Sequence, residues 1–321
     1  IAGLFALIFR TELAQPGIDF LPLGSFNTIM SLHGILMVYT MIIGVAAMSN
    51  YLVPLMIGAN GMAFPRLNAF AFWLNVPATL ILLSSLLLGG FDTGWTGYPP
   101  LSTRAPLGMD MFFVGVYLFG LSSILGALNI IASIIRLRAS GMSYFRMPIF
   151  VWSAFATAII GLNATQLIGL AFQLVLFERI FGMGFFEPSM GGDPILFQHL
   201  FWFYSHPAVY IMILPAMGVI SEVLPVFSRK PIFGYNAITW STIAIGVLGF
   251  GTWAHHMFTT GLPPLIETFF IISTIIIAVP TGVKIFNWIF TMMGGSLVFA
   301  TPMLFAIGFI SMFVIGGISG G

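Results

Sequence analysis

Two short segments bring together side chains that can bind a redox metal. Ser205-His206-Pro207-Ala208-Val209-Tyr210 sets an imidazole and a phenol four residues apart, and Trp253-Ala254-His255-His256 sets two imidazoles side by side. On a helix, residues four apart lie on one face, one turn from each other. Adjacent residues diverge by about 100° on an ideal helix. His255 and His256 therefore share an ion only if the backbone there is distorted or the two use different ring nitrogens. Three imidazoles suit copper, zinc or iron. The chain has no cysteine, so thiolate sites and disulfides are excluded. With no carboxylate close by and a phenol one turn away, redox-active copper is the expected metal at His206, His255 and His256. A bare His-His pair also reads as a polar contact at a helix interface.

His33 lies in Ser31-Leu32-His33-Gly34. Small residues at Gly34, Gly44 and Ala46 can make room for a flat macrocycle beside an axial imidazole. Lys284 follows Pro280-Thr281 well inside an apolar run. An ionisable group at that depth is costly and points to function, here a proton relay, unless it snorkels to the interface. His199, near the end of its run, can reach the interface.

The elements that position these groups are transmembrane helices. Hydrophobic residues make up 59% of the chain and charged residues 6%, and the mean hydropathy is +1.07. A soluble domain carries about 25% charged residues, so lipid must be the solvent for much of this surface. The net charge of +1 gives no basic stripe for nucleic acid. A span needs ~20 apolar residues. Such runs cover 27–58, 68–89, 110–135, 149–177, 195–225, 237–260, 267–290 and 300–320, after a partial run at 1–9. The fold expected is all-α, a polytopic helical bundle of eight full spans plus a partial first. Pro207 and Pro215 should disturb their helix locally. The even-numbered connectors hold Arg66, Arg136, Arg138, Arg146, Arg229 and Lys230; the odd ones hold Arg10, Arg104 and Arg179 with most of the acids, Asp19 among them. That bias puts the even connectors in the cytoplasm. Both ends fall in apolar runs, so residues 1–321 are expected to be one transmembrane catalytic domain cut from a longer protein.

Colinear motifs then carry a resemblance. Ser31-Leu32-His33-Gly34, Ala63-Phe64-Pro65-Arg66, Gly94-Trp95-Thr96, Tyr98-Pro99-Pro100-Leu101, Gln198-His199-Leu200-Phe201-Trp202-Phe203, Trp253-Ala254-His255-His256-Met257-Phe258 and Pro280-Thr281-Gly282-Val283-Lys284 resemble subunit I of the cytochrome c oxidases, in the heme–copper oxygen reductase superfamily. The resemblance runs through essentially the whole chain, from within the family's first span to about its ninth. It implies that His33 is an axial ligand of a low-spin heme (heme a-type) and that His206, His255 and His256 bind the active-site copper facing a high-spin heme (a3-type). It further implies that Tyr210 is cross-linked to His206 and supplies an electron and a proton when the O–O bond breaks. By the same resemblance Arg10 contacts the low-spin heme, Trp202 packs beside the copper site, and Trp95 and Tyr98 belong to the cofactor surroundings. Two further heme-ligating histidines are expected beyond residue 321.

The resemblance also implies proton routes. Ser221, Thr274, Thr281, Lys284 and Tyr210 match the family's lysine pathway. The second route departs from the usual pattern. Many relatives carry glutamate where this chain has Ala208, and the preceding Tyr204-Ser205 resembles the subclass that substitutes that pair for it. Gly61 stands where relatives open this route with aspartate, although Asn50, Asn68 and Asn129 match its polar neighbours. The function implied is a terminal oxidase reducing O2 to water with electrons from cytochrome c, coupled to proton uptake and translocation. Subunits II and III, cytochrome c and lipid are the implied partners, and a bacterial cytoplasmic membrane is expected ahead of a mitochondrial inner membrane. Within the superfamily, a quinol oxidase or nitric oxide reductase is the alternative. Tyr210 disfavours the reductase, and Tyr204-Ser205 favours cytochrome c over quinol. An ion transporter or channel is the alternative from another class, but the inverted repeat that would mark it is not evident.

Overall fold

The computed structural model describes residues 1–17 and 20–320, so Asp19 and the last residue of the expected cut end, Gly321, lie outside the described residues. The helices are α1 (Ala2–Glu12), α2 (Leu23–Ile57), α3 (Pro65–Ser84), α4 (Gly108–Arg136) and α5 (Ile149–Phe181), then α6 (Pro194–Ser228), α7 (Tyr235–Leu248), α8 (Pro264–Ile276), α9 (Ala278–Met292) and α10 (Thr301–Gly320). Among the described residues there is no strand. Eight stretches among the described residues are long and apolar enough to cross a membrane: Leu23–Ile57, Pro65–Leu88, Gly108–Arg136, Ile149–Phe181, Pro194–Ser228, Tyr235–Met257, Pro264–Met292 and Thr301–Gly320. They coincide with the eight apolar runs read from sequence. α2, α3, α5, α6 and α10 are apolar nearly all round, which suits a lipid-embedded bundle and not a soluble one. Large side chains such as Leu265 (80% exposed) and Phe305 (76%) accordingly face outward.

Proline acts unequally. α6 continues through Pro207, Pro215 and Pro225, so the expected disturbance does not interrupt it. Pro280 does mark a break. It has no N–H to give the carbonyl of Ile276, and α8 passes into α9 at Ile277.

The residues form two compact units, 1–44 with 66–125 and 164–204, and 45–65 with 126–163 and 205–321. The first is built on aromatic packing. Phe112, Phe113, Phe172, Phe197 and Phe201 are almost fully buried, and the Phe113 and Phe172 rings lie 4.8 Å apart. A Cβ at Gly115 would lie 2.9 Å from the Ala78 carbonyl, so glycine is what lets α3 and α4 approach. Arg179 on α5 pins the loop ahead of α4: it pairs with Asp110 and donates to the carbonyls of Ser102 and Ala105. That loop carries Trp95 and Tyr98.

The second unit has a core of Val53, Ile57, Ile130, Ile134, Met147 and Phe150. Polar side chains close its helix ends. Glu222 on α6 accepts from the Phe150 N–H at 3.1 Å, capping the first turn of α5. Asn129 on α4 accepts from the Phe64 N–H at 2.9 Å and donates back to the Phe64 carbonyl at 3.2 Å.

Candidate metal centre

α6 carries His206 with its side chain in the second unit. The chain beyond α7 supplies the other two imidazoles. After Leu248 the helix tightens into a 3-10 turn at Gly249–Gly251, Thr252 leaves helical geometry (φ −124°, ψ 0°), and a second 3-10 turn, Trp253–Met257, holds His255 and His256. This is the distortion that adjacent histidines need. One ligating nitrogen from each of His206, His255 and His256 lies within 4.8 Å of the others. His206 Nδ1 is 3.4 Å from His256 Nε2, and the His206 and His255 rings are 4.4 Å apart.

Hydrogen bonding decides how His255 is presented. Its Nδ1 lies 2.8 Å from Thr274 Oγ1, whose own proton goes to the Phe270 carbonyl at 2.6 Å. Thr274 can then only accept, so Nδ1 carries the hydrogen and Nε2 keeps its lone pair. Thr274, expected on the lysine pathway, is thereby engaged with a candidate metal ligand. Loss of such a partner typically weakens metal binding about 10–100-fold. Thr274→Val should do so, measured by copper competition against a chelator; an unchanged affinity would remove Thr274 from this role.

Tyr210 lies one turn from His206, with ring centroids 4.6 Å apart, and its hydroxyl is within hydrogen-bonding reach of Thr252. His206 Nε2 is buried without a hydrogen-bond partner. A buried orphan of this kind calls for a bond not present among these side chains. The donor set of three imidazoles fits copper. Gly249 was not singled out by its sequence context. A Cβ there would come within 2.7 Å of the Tyr210 ring, so its lack of a side chain makes the ring's place.

His33 lies on α2 in the first unit. Its Nδ1 is 2.9 Å from the Ala2 carbonyl, so Nδ1 carries the hydrogen and Nε2 is the nitrogen left to ligate. Phe9 packs edge-on to the ring at 5.3 Å. Arg10 follows in the last turn of α1 and is exposed. The space at Gly34 is taken by Trp95, whose Cβ lies 3.2 Å from where a Gly34 Cβ would be, whereas nothing lies within 4 Å of Gly44. Trp95 meets Trp202 at 5.9 Å, and Trp202 Nε1 donates to the Tyr98 hydroxyl. Burial raises the Tyr98 phenol above its ordinary range, offset in part by that bond.

The proton-route residues are distributed unevenly. Lys284 on α9 is fully buried, and its Nζ donates to Thr242 on α7 at 2.6 Å, a partner outside the expected set. Ser221 donates to the Met217 carbonyl and accepts from Trp288 Nε1 at 2.9 Å. Thr281 is half-buried. Ser205 Oγ and Asn50 Oδ1 are buried without a hydrogen-bond partner. Tyr204 is buried in the first unit, where Asn68 also lies half-buried. Asn129 is engaged with the Phe64 backbone, as described above.

The sequence profile of the family described as cytochrome c and quinol oxidase polypeptide I matches residues 1–321. The chain is 50% identical over 323 residues to cytochrome c oxidase subunit 1 of Thermostichus vulcanus, covering 100% of this chain and 58% of that protein. It is 51% identical over 322 residues to the Synechocystis sp. protein of the same name, again 100% and 58%. To that of Bacillus sp. (strain PS3) it is 45% identical over 324 residues, 100% and 53%. The chain thus spans about half the length of the curated relatives it matches.

Proposed function

The chain belongs to the cytochrome c and quinol oxidase polypeptide I family, and on that premise we propose that the full-length protein is a terminal oxidase that reduces O2 to water with electrons from cytochrome c. The observation that carries this reading is the cluster of His206, His255 and His256, with His206 buried and the Tyr210 phenol one turn from it. His206 Nδ1, His255 Nε2 and His256 Nε2 would hold copper, and His33 Nε2 would hold the iron of a low-spin heme. Copper so held, together with a high-spin heme, would supply redox chemistry for the reduction of O2. Tyr210 holds a proton at Oη beside that site and adds it to the reaction. The partnerless His206 Nε2 supports a covalent link to the Tyr210 ring. Thr274 keeps His255 in the ligating tautomer. By the family resemblance Trp95, Tyr98 and Trp202 would belong to the cofactor surroundings, and Arg10 would meet the low-spin heme.

The chain is a multi-pass integral membrane protein, by its eight apolar helices and its family. We place it in a bacterial cytoplasmic membrane, with subunits II and III and cytochrome c as partners. Tyr204-Ser205 favours cytochrome c over quinol as donor. Purified full-length protein should bind copper and two hemes and consume oxygen; a protein with iron in place of copper would be a nitric oxide reductase instead.

Protons would reach the centre through Lys284. Lys284→Met should slow reduction of the centre about tenfold or more in stopped-flow mixing, as loss of a positioned proton carrier does. A parental rate would take Lys284 out of the route.

A further inference from the structure

Polar side chains line a groove of the first unit at the depth of the lipid tails. There α4 and α5 flank a cavity of ≈ 210 Å³, lined in part by Tyr117, Gly120, Thr165, Gln166, Gly169 and Gln173. α5 runs 33 residues, Ile149–Phe181, so Gln166 stands roughly 22–25 Å along the helix from either end. The hydrocarbon core is about 30 Å thick, which puts Gln166 near its middle. Gln166 is exposed and Gln173 half-buried, and Tyr117 on α4 is 42% exposed. Seven residues bring a helix back to within about 20° of the same face, so the two amides form one stripe, two turns apart.

A carboxamide carries two N–H donors and an acceptor oxygen. Hydrocarbon satisfies none of them, and polar side chains at this depth characteristically face protein. Thr165 adds a second polar group to the same cavity. It is 2% exposed, and its Oγ1 has no well-formed hydrogen bond, although it lies beside the Tyr204 hydroxyl. Glycine keeps the floor of the groove low. A Cβ at Gly169 would lie 3.6 Å from the Tyr117 ring, and one at Gly120 3.2 Å from Thr165 Cγ2. Small residues so placed let a further backbone come close.

The chemistry selects what covers this groove. An acyl chain has no hydrogen-bonding group, and lipid headgroups lie about 15 Å from the middle of the core. A polypeptide crossing at this depth has to be helical to pair its own backbone, and its polar side chains can bond across to a neighbouring helix. We propose that the α4–α5 groove seats a transmembrane helix of a partner subunit, which presents hydrogen-bonding side chains to Gln166 and Gln173. This docking requires that the chain spans the membrane; it does not depend on the oxidase chemistry.

The test uses the full-length protein in its native membranes. Tyr117→benzoylphenylalanine places a photo-crosslinker on the groove. Irradiation should join this chain to a membrane-spanning segment of a subunit that co-purifies with it in a one-to-one ratio, located by peptide mass spectrometry. Gln166→Leu combined with Gln173→Leu removes both amides and leaves residues that suit helix and lipid, so the amount of this chain in the membrane should hold. Retention of the partner subunit through detergent purification should fall about tenfold, as loss of two interhelical hydrogen bonds would give. Leu170, 40% exposed at the rim between the two glutamines, offers a second variant: Leu170→Trp should release the same subunit by filling the groove. Adducts to lipid alone, or to a second copy of this chain, would overturn the proposal. So would full retention of the partner when both glutamines are replaced. Loss of the chain itself from the membrane in the leucine pair and in Leu170→Trp would make the effect one of folding and overturn it equally.

Discussion

Tyr210→Phe should lower oxygen consumption of the full-length oxidase by about 100-fold or more, the scale on which removing a positioned proton donor acts. The substitution is narrow. Phenylalanine keeps the ring that packs 4.6 Å from His206 and fits beside Gly249, where only a hydrogen faces the ring. What disappears is Oη and its proton. Copper content and heme absorbance should therefore match the parent while turnover collapses. Near-normal oxygen consumption by this variant would refute the role given to the phenol.

Copper content should fall from about one per chain to below about 0.1 in His256→Ala, because two remaining imidazoles no longer enclose a first-row ion. His256 Nε2 faces His206 Nδ1 at 3.4 Å, so its loss opens the cluster on the side where the two rings converge. His199→Ala is the matched control, since His199 is not one of the three clustered histidines, and it should keep its copper. Metal analysis of purified protein reads both. Full copper in His256→Ala would mean that these histidines do not share an ion. Together the two substitutions separate the metal from the phenol: one empties the site, and the other leaves it loaded but inactive.

Much of this was legible along the chain because a membrane imposes simple rules. An apolar run of sufficient length in lipid has to be a helix, since every backbone N–H and C=O must be paired inside the segment. The eight spans were therefore readable from composition, with ends shifted by only a few residues. His206, His255 and His256 were readable because imidazoles are rarely placed at such depth without a purpose. The 3-10 geometry at Trp253–Met257 was required by the adjacency of two histidines, but adjacency alone does not say that the backbone supplies it.

The sequence by itself determined which segments enter the membrane, which ionisable groups go with them and the family to which the motifs belong, because these depend on local hydropathy and on residue identity. Only tertiary structure decided which polar groups meet. Thr274 lies on His255 rather than beside Lys284, Lys284 reaches Thr242 on α7, Gly34 admits Trp95, and Asn129 holds the Phe64 backbone. The reason is geometric. A hydroxyl or amide on a buried helix takes whichever partner the neighbouring helix brings within about 3 Å, and helix register is set by packing that no single segment encodes.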